Sequence, residues 1–292
     1  MLSTNNKISY LESCKICGNK KLKKVLKLNE QYISATFVKS NVENDLKKIK
    51  THLNLSLCVQ DGNLSNCGHL QLNEIVNPDV LYRNYFYRSS TNDTMKKDLK
   101  NVVDRVLEIV KPDPHDIVVD IGSNDCTLLN YYQKELKLVG FEPAKNIKFI
   151  DEGKNIKIFS SYFNAQNFIE NFGEKAKIIT SCAMFYDLEN PKKFVQDIKN
   201  IMDKNGIWCV QISYLLLMIK NLNFYDICHE HLSYYSIDSF EKLIEQFDLK
   251  IFYAETNKVN GGSIRFYVCK KECKKYNRKK FQDELDTLRQ EE

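Results

Sequence analysis

From residue 117 onward, short apolar runs alternate with amphipathic stretches, an order that few architectures tolerate. The pattern predicts strands at Ile117–Ile121, Leu138–Phe141, Ile156–Phe159, Lys177–Ser181 and Ile207–Ile212. Between them it predicts helices at Leu128–Lys134 and Ala165–Asn171. A third is opened by Asn190 and Pro191, with Phe194, Val195, Ile198, Ile201 and Met202 on its apolar face. Such alternation reads as an α/β fold around a parallel, doubly wound sheet. Upstream, Leu99, Val102, Val103, Val106, Leu107 and Val110 recur at helical spacing until Pro112 and Pro114 stop the helix. Downstream, Asp238-Ser239-Phe240-Glu241 reads as a capping box opening a helix through Phe247. Two more strands are expected at Leu249–Tyr253 and Ser263–Cys269, and the charged stretch 270–292 reads as a solvated helix or tail.

A hydrophobic fraction of 43% over 292 residues supplies a core, so disorder is not the expectation. Lys and Arg total 43 against 38 Asp and Glu, a net charge of only +5, which nominates no nucleic acid as partner. No apolar run is long enough to span a bilayer, and Met1–Asn6 lacks the regions of a secretory signal, so the expectation is a soluble cytoplasmic protein without a membrane partner. Nothing specifies an oligomer, and a monomer is expected. Ten cysteines in a reducing compartment point to metal binding or plain burial, not to disulfides.

Spacing decides between those two. Cys14-Lys15-Ile16-Cys17-Gly18 places two thiolates where they share one metal, with a glycine for the tight turn. Cys58 and Cys67-Gly68 return as a second pair, the intervening Val59–Asn66 looping out. Four thiolates from Cys14, Cys17, Cys58 and Cys67 imply a closed, structural zinc site, because a small polar segment needs a staple to fold. The competing reading is four buried free thiols. His69, just past the second glycine, is expected to be a surface residue.

The run Val118-Val119-Asp120-Ile121-Gly122-Ser123-Asn124-Asp125-Cys126 passes from a strand into a small polar turn, where an open α/β sheet binds its ligand. Asp120 and the turn Gly122, Ser123, Asn124 and Asp125 are candidates to hold the cationic tail of S-adenosylmethionine. Glu142, followed by Pro143, ends the next strand, where an acid accepts ribose hydroxyls. One glycine stands where a dinucleotide fingerprint needs three, which disfavours a pyrophosphate cofactor. An ordinary strand–helix turn is the alternative. Further on, Cys228-His229-Glu230-His231 concentrates two of five histidines around a carboxylate. Too few ligands surround it for a metal site, and general acid–base chemistry fits better, an adjacent acid orienting an imidazole. A histidine that merely caps the following helix is the competing reading.

Taken in order, the cysteine pairs, Tyr87-Arg88-Ser89-Ser90, Asp120-Ile121-Gly122-Ser123-Asn124-Asp125, Gly140-Phe141-Glu142-Pro143-Ala144, His229-Glu230-His231-Leu232-Ser233-Tyr234-Tyr235 and Gly261-Gly262-Ser263-Ile264-Arg265 resemble the sugar C-methyltransferases. The resemblance implies a Rossmann-like class I methyltransferase sheet after a small zinc-binding domain. It divides the chain into a zinc-binding domain (1–76), an aromatic connector and helix (77–115), a cofactor-binding domain (116–255) and the start of a truncated C-terminal domain or tail (256–292). It implies S-adenosylmethionine and structural zinc as cofactors and a nucleotide-linked keto-deoxysugar as substrate. His231 becomes the base that generates an enolate, with His229 beside it and Glu230 and Tyr87 orienting the sugar. Three positions depart from the pattern: Cys228 replaces a tyrosine, Cys126 a glycine, and Ala183-Met184-Phe185-Tyr186 lacks a histidine expected near the sugar. Another small-molecule methyltransferase, or a noncatalytic cofactor- and zinc-binding protein, are the alternatives.

Overall fold

The computed structural model describes residues 7–35, 49–59 and 67–292, so Met1–Asn6, residues 36–48 and most of the foreseen loop Val59–Asn66 lie outside the described residues. The first unit is built on two small sheets. Strand β1 (Ile8–Tyr10) pairs with β5 (Glu74–Val76), while β2 (Leu22–Tyr32), β3 (Lys50–Cys58) and β4 (Leu70–Leu72) form an antiparallel meander. A short α1 (Pro78–Tyr82), capped by the Asn77 side chain, leads into the aromatic connector.

Helix α2 (Asp93–Val110) is capped by Asn92 and ends where Lys111 turns left-handed, just ahead of Pro112. Its buried face, Leu99, Val102, Val103, Val106, Ile109 and Val110, covers one side of the main sheet. That sheet contains β6 (Ile117–Ile121), β7 (Lys137–Phe141), β8 (Lys157–Phe159), β9 (Ala176–Cys182) and β10 (Met202–Ser213), with α3 (Ala165–Phe172) and α4 (Pro191–Ile201) among its crossovers. After β10 come α5 (Leu215–Lys220), β11 (Ser233–Tyr234), α6 (Ile237–Ile244), β12 (Leu249–Asn257), β13 (Ser263–Lys270) and α7 (Lys279–Glu291). The spatial order is β12-β13-β10-β9-β6-β7-β8. The five strands from β8 to β10 are parallel and β13 is antiparallel to both its neighbours, so the expected parallel sheet is extended by an antiparallel pair. All five residues of β6 are buried, as a central strand covered on both faces requires.

Three expectations are corrected. The helix foreseen at Leu128–Lys134 is only a 3₁₀ turn, Leu129–Tyr131, because the Asn130 amide donates to the Cys126 and Ile150 carbonyls and Tyr132 leaves in an extended conformation. The capping box belongs to Ser236 and Ser239, two residues earlier than foreseen. The charged tail is not solvated all round: α7 buries Phe281 against Phe252 and Tyr253 and buries Leu285 completely, and the Glu292 side chain accepts from the backbone at Ile237 and Asp238. Because β13 sits between β10 and β12, the main sheet includes strands on both sides of residue 255. The buried Arg265 on β13 donates to Gln211, Asp98, Asn101 and Glu255, tying α2 to the sheet. Among the described residues, no helix is long and apolar enough to cross a membrane.

Strand β11 joins the two units. It pairs with β4, so the meander of the first unit is completed by residues that follow Glu230 and His231 directly.

Candidate active site and zinc centre

Loops at the carboxyl ends of β6, β7 and β9 meet where β6 has neighbours entered from opposite directions in the chain, the switch point at which such sheets bind ligands. There they enclose a cavity of about 440 Å³. Asp120, Gly122, Ser123, Asn124, Glu142 and Pro143 line it, as does Tyr87 from the connector. Thr180 donates to Asp120 Oδ1 at 2.6 Å, while burial, with the Glu142 charge adding, pushes this acid up to about 7. Glu142 accepts backbone N–H groups of Asn124 and Ala144 at 2.9 and 2.8 Å, which aims its carboxylate across the loop. Burial raises its pKa as well. Gly122 has φ +74°, and a side chain there would press on Met184. Cys126, where a glycine was expected from the family pattern, adopts φ 71°, so the left-handed conformation is kept without glycine.

Asp125 does not line the cavity. It accepts from the Ser90 backbone and from Thr127, and Asn124 binds the Ser89 amide and the Tyr87 carbonyl. Both thus tie the cofactor loop to the connector.

The His-Glu-His segment splits in two directions. His229 is 1% exposed, its Nδ1 lies 3.2 Å from the Ser34 amide, and it does not line the cavity. Ser34 Oγ accepts from the His229 backbone and makes a short bond to Glu230. His231 faces the other way. Its Nδ1 is 2.8 Å from the Asp226 carbonyl, and its ring meets Tyr186 edge-on with centroids 4.4 Å apart. Tyr186 lines the cavity, so His231 stands one ring behind the wall, and Glu230 likewise is absent from the lining. Burial lowers the pKa of both imidazoles.

Sequence reasoning passed over Asp187, Tyr82 and Tyr85, which also line the cavity. The position of Asp187 just beyond the end of β9, at the ligand-binding edge of the sheet, was the available signal for it. Ser34 was missed as well, and its partners are nearly two hundred residues away.

Cys14, Cys17, Cys58 and Cys67 bring their sulfurs within 4.8 Å of one another. The nearest pairs are 3.3, 3.5 and 3.6 Å apart, close to the edge of about 3.8 Å that a tetrahedron of zinc–sulfur bonds requires. Without a cation the four cannot all ionise. The hydrogen bond from Cys67 holds Cys14 down to about 5, the same bond pushes Cys67 far up, and burial pushes Cys58 up to about 11. The donor set therefore fits zinc. His69 is not a surface residue as expected. It is fully buried, 3.1 Å from Ser233 Oγ and packed on Tyr235, both far along the chain.

The chain matches the family described as "Methyltransferase domain" over residues 92–254, and it belongs to that family; residues 14–82 match the family described as "Putative zinc binding domain". It is 27% identical over 206 residues to the C-methyltransferase NovU of Streptomyces niveus, a match that covers 68% of this chain and 48% of that one. The chain thus spans about half the length of the curated relative it matches. Among solved structures it is similar to an S-adenosylmethionine-dependent methyltransferase from Clostridium acetobutylicum, with 13% identity, 60% and 91% of the two chains covered and a TM-score of 0.47. It is also similar to the cyclopropane synthase MmaA2 from Mycobacterium tuberculosis, with 12% identity, 66% and 91% covered and a TM-score of 0.47. The chain thus joins a methyltransferase domain to a zinc-binding domain, with S-adenosylmethionine and zinc as their cofactors. The acids at 120 and 142 and the orphaned hydroxyl of Ser123 fit the former.

Proposed function

We propose that this methyltransferase acts on carbon, methylating a nucleotide-linked keto-deoxysugar with His231 as the base. One observation carries the reading: the bond between His231 Nδ1 and the Asp226 carbonyl. A carbonyl only accepts, so Nδ1 holds the proton and Nε2 presents a lone pair. Burial lowers the ring's pKa against the opposing charge of Glu230, which keeps it neutral and ready to accept a proton at neutral pH.

Asp120, Glu142, Pro143 and the turn from Gly122 to Asn124 would hold S-adenosylmethionine, with Asp125 fixing the turn from behind. When bound, the cofactor supplies a methyl group made electrophilic by positive sulfur. His231 removes the proton alpha to the ketone, Glu230 orients the segment through Ser34, and the buried Tyr87 hydroxyl, without a partner among the described residues, binds the sugar. His229 supports the segment from the zinc-domain side. The likeness to a C-methyltransferase supports carbon as the acceptor.

The test is incubation with S-adenosylmethionine and a panel of nucleotide-linked keto-sugars, read by mass for the gain of one methyl. His231→Ala should abolish that gain while cofactor affinity in calorimetry stays as in the wild type. Weakened cofactor binding in the variant, or methylation of every sugar except the ketones, would refute the assignment.

A further inference from the structure

Asp187 sits in the turn Phe185–Asp187 that follows β9, and its side chain lines the cavity. The Tyr82 hydroxyl, which donates to the Glu230 backbone carbonyl at 3.4 Å, also acts on its carboxyl, and Oδ1 is buried without a partner among the described residues. The charged group acting on it is another acid, Glu230, and burial pushes its carboxyl well above the usual range. Its neighbour Tyr186 carries the edge-on contact to His231, so the acid stands in the wall and the imidazole one ring behind it. A carboxyl that lines a ligand cavity, with one oxygen buried and unpartnered and a like charge beside it, is most stable with its proton on.

We propose that Asp187 carries its proton on Oδ1 and donates a hydrogen bond to the ketone oxygen of the substrate while His231 draws off the neighbouring C–H proton. This rests on the keto-sugar reading above. The C–H electron pair becomes the new carbon–carbon π bond, the carbonyl π pair moves onto oxygen, and the proton goes to His231 Nε2. Asp187 keeps its own proton throughout and offers a donor where negative charge collects. An ionised carboxylate in the same place would repel that charge.

Two measurements decide it. Infrared difference spectra of the full chain, wild type against Asp187→Asn, should show the carbonyl stretch of a protonated carboxylic acid at neutral pH that disappears in the variant; a carboxylate band in its place overturns the proposal. With a ketone that the wild type methylates, Asp187→Ala should lower kcat by about 10²–10³-fold, the usual effect of deleting one such donor. Asp187→Asn, whose amide still donates, should recover part of the loss, with cofactor affinity unchanged in both. A wild-type kcat in Asp187→Ala overturns the proposal and leaves the sugar reading standing. Turnover of no ketone by the wild type is instead the failure of the sugar reading, and the infrared arm reports on the Asp187 proton regardless.

Discussion

Folding gathers acidic groups at two places in this chain, and it treats them differently. In the zinc-binding domain four thiols crowd within 4.8 Å and leave room for one ion and nothing else. At the rim of the main sheet Asp120 and Glu142 are kept apart by their own hydrogen bonds and open onto about 440 Å³. Both arrangements are unfavourable until a positive charge arrives. The first is closed and binds for stability, the second is open and binds for chemistry. What joins them is β11, which is a strand of the zinc-binding unit and at the same time the continuation of the His-Glu-His segment.

The largest effect should come from breaking the closed site. Cys58→Ser, or chelation of the wild type, should lower zinc content from about one ion per chain to near none and unfold the first unit, since structural zinc contributes on the order of 10 kcal/mol to folding. Hydrogen exchange should rise in 67–76 and also in 229–235, because Ser233 and Tyr234 pair with Gln71 and Leu70. Exchange confined to the first unit would show that the two regions are independent.

The open site predicts a smaller effect, set by pH. Asp120 is pushed up to about 7 by burial, and a cationic ligand binds best to its ionised form. Affinity for S-adenosylmethionine should therefore fall about tenfold for each pH unit below 7 and level off above it, one proton being lost per ligand bound. Asp120→Asn should bind more weakly at pH 8 and show a flat profile. A wild-type profile that is flat from pH 5 to 8, measured by calorimetry, would remove Asp120 from the site.

These two clusters were also the most legible parts of the sequence, for a common reason: each is fixed by local geometry. Chelation dictates the spacing of Cys14 and Cys17, and an acid at a strand end is placed by the strand, so Asp120 and Glu142 could be chosen without knowing their neighbours. The strands of the parallel sheet were legible for the same reason, since their apolar runs are continuous. What depended on distant partners was not. His69 looked like a surface residue because Ser233 and Tyr235, which bury it, are separated from it by more than half the chain. The helix at Leu128–Lys134 stops after a single turn, where Tyr132 turns extended and the Asn130 side chain reaches the carbonyls of Cys126 and Ile150.

The His-Glu-His segment was readable as a site but not as a boundary, and it offers the finest test of the comparison. His229 and His231 are one residue apart, yet the first binds Ser34 in the zinc-binding unit and the second packs on Tyr186 in the cavity wall. His229→Ala removes the acceptor of the Ser34 amide, which should destabilise the chain by about 1–3 kcal/mol. A melting temperature lower by roughly 2–12 °C is expected from that range for a unit of this size. Cofactor affinity should not change, because no atom of His229 lines the cavity. If His229→Ala instead left the melting temperature alone and lowered kcat as His231→Ala does, both histidines would belong to the open site, and the dividing line between the two regions would have to be moved to the zinc-domain side of residue 229.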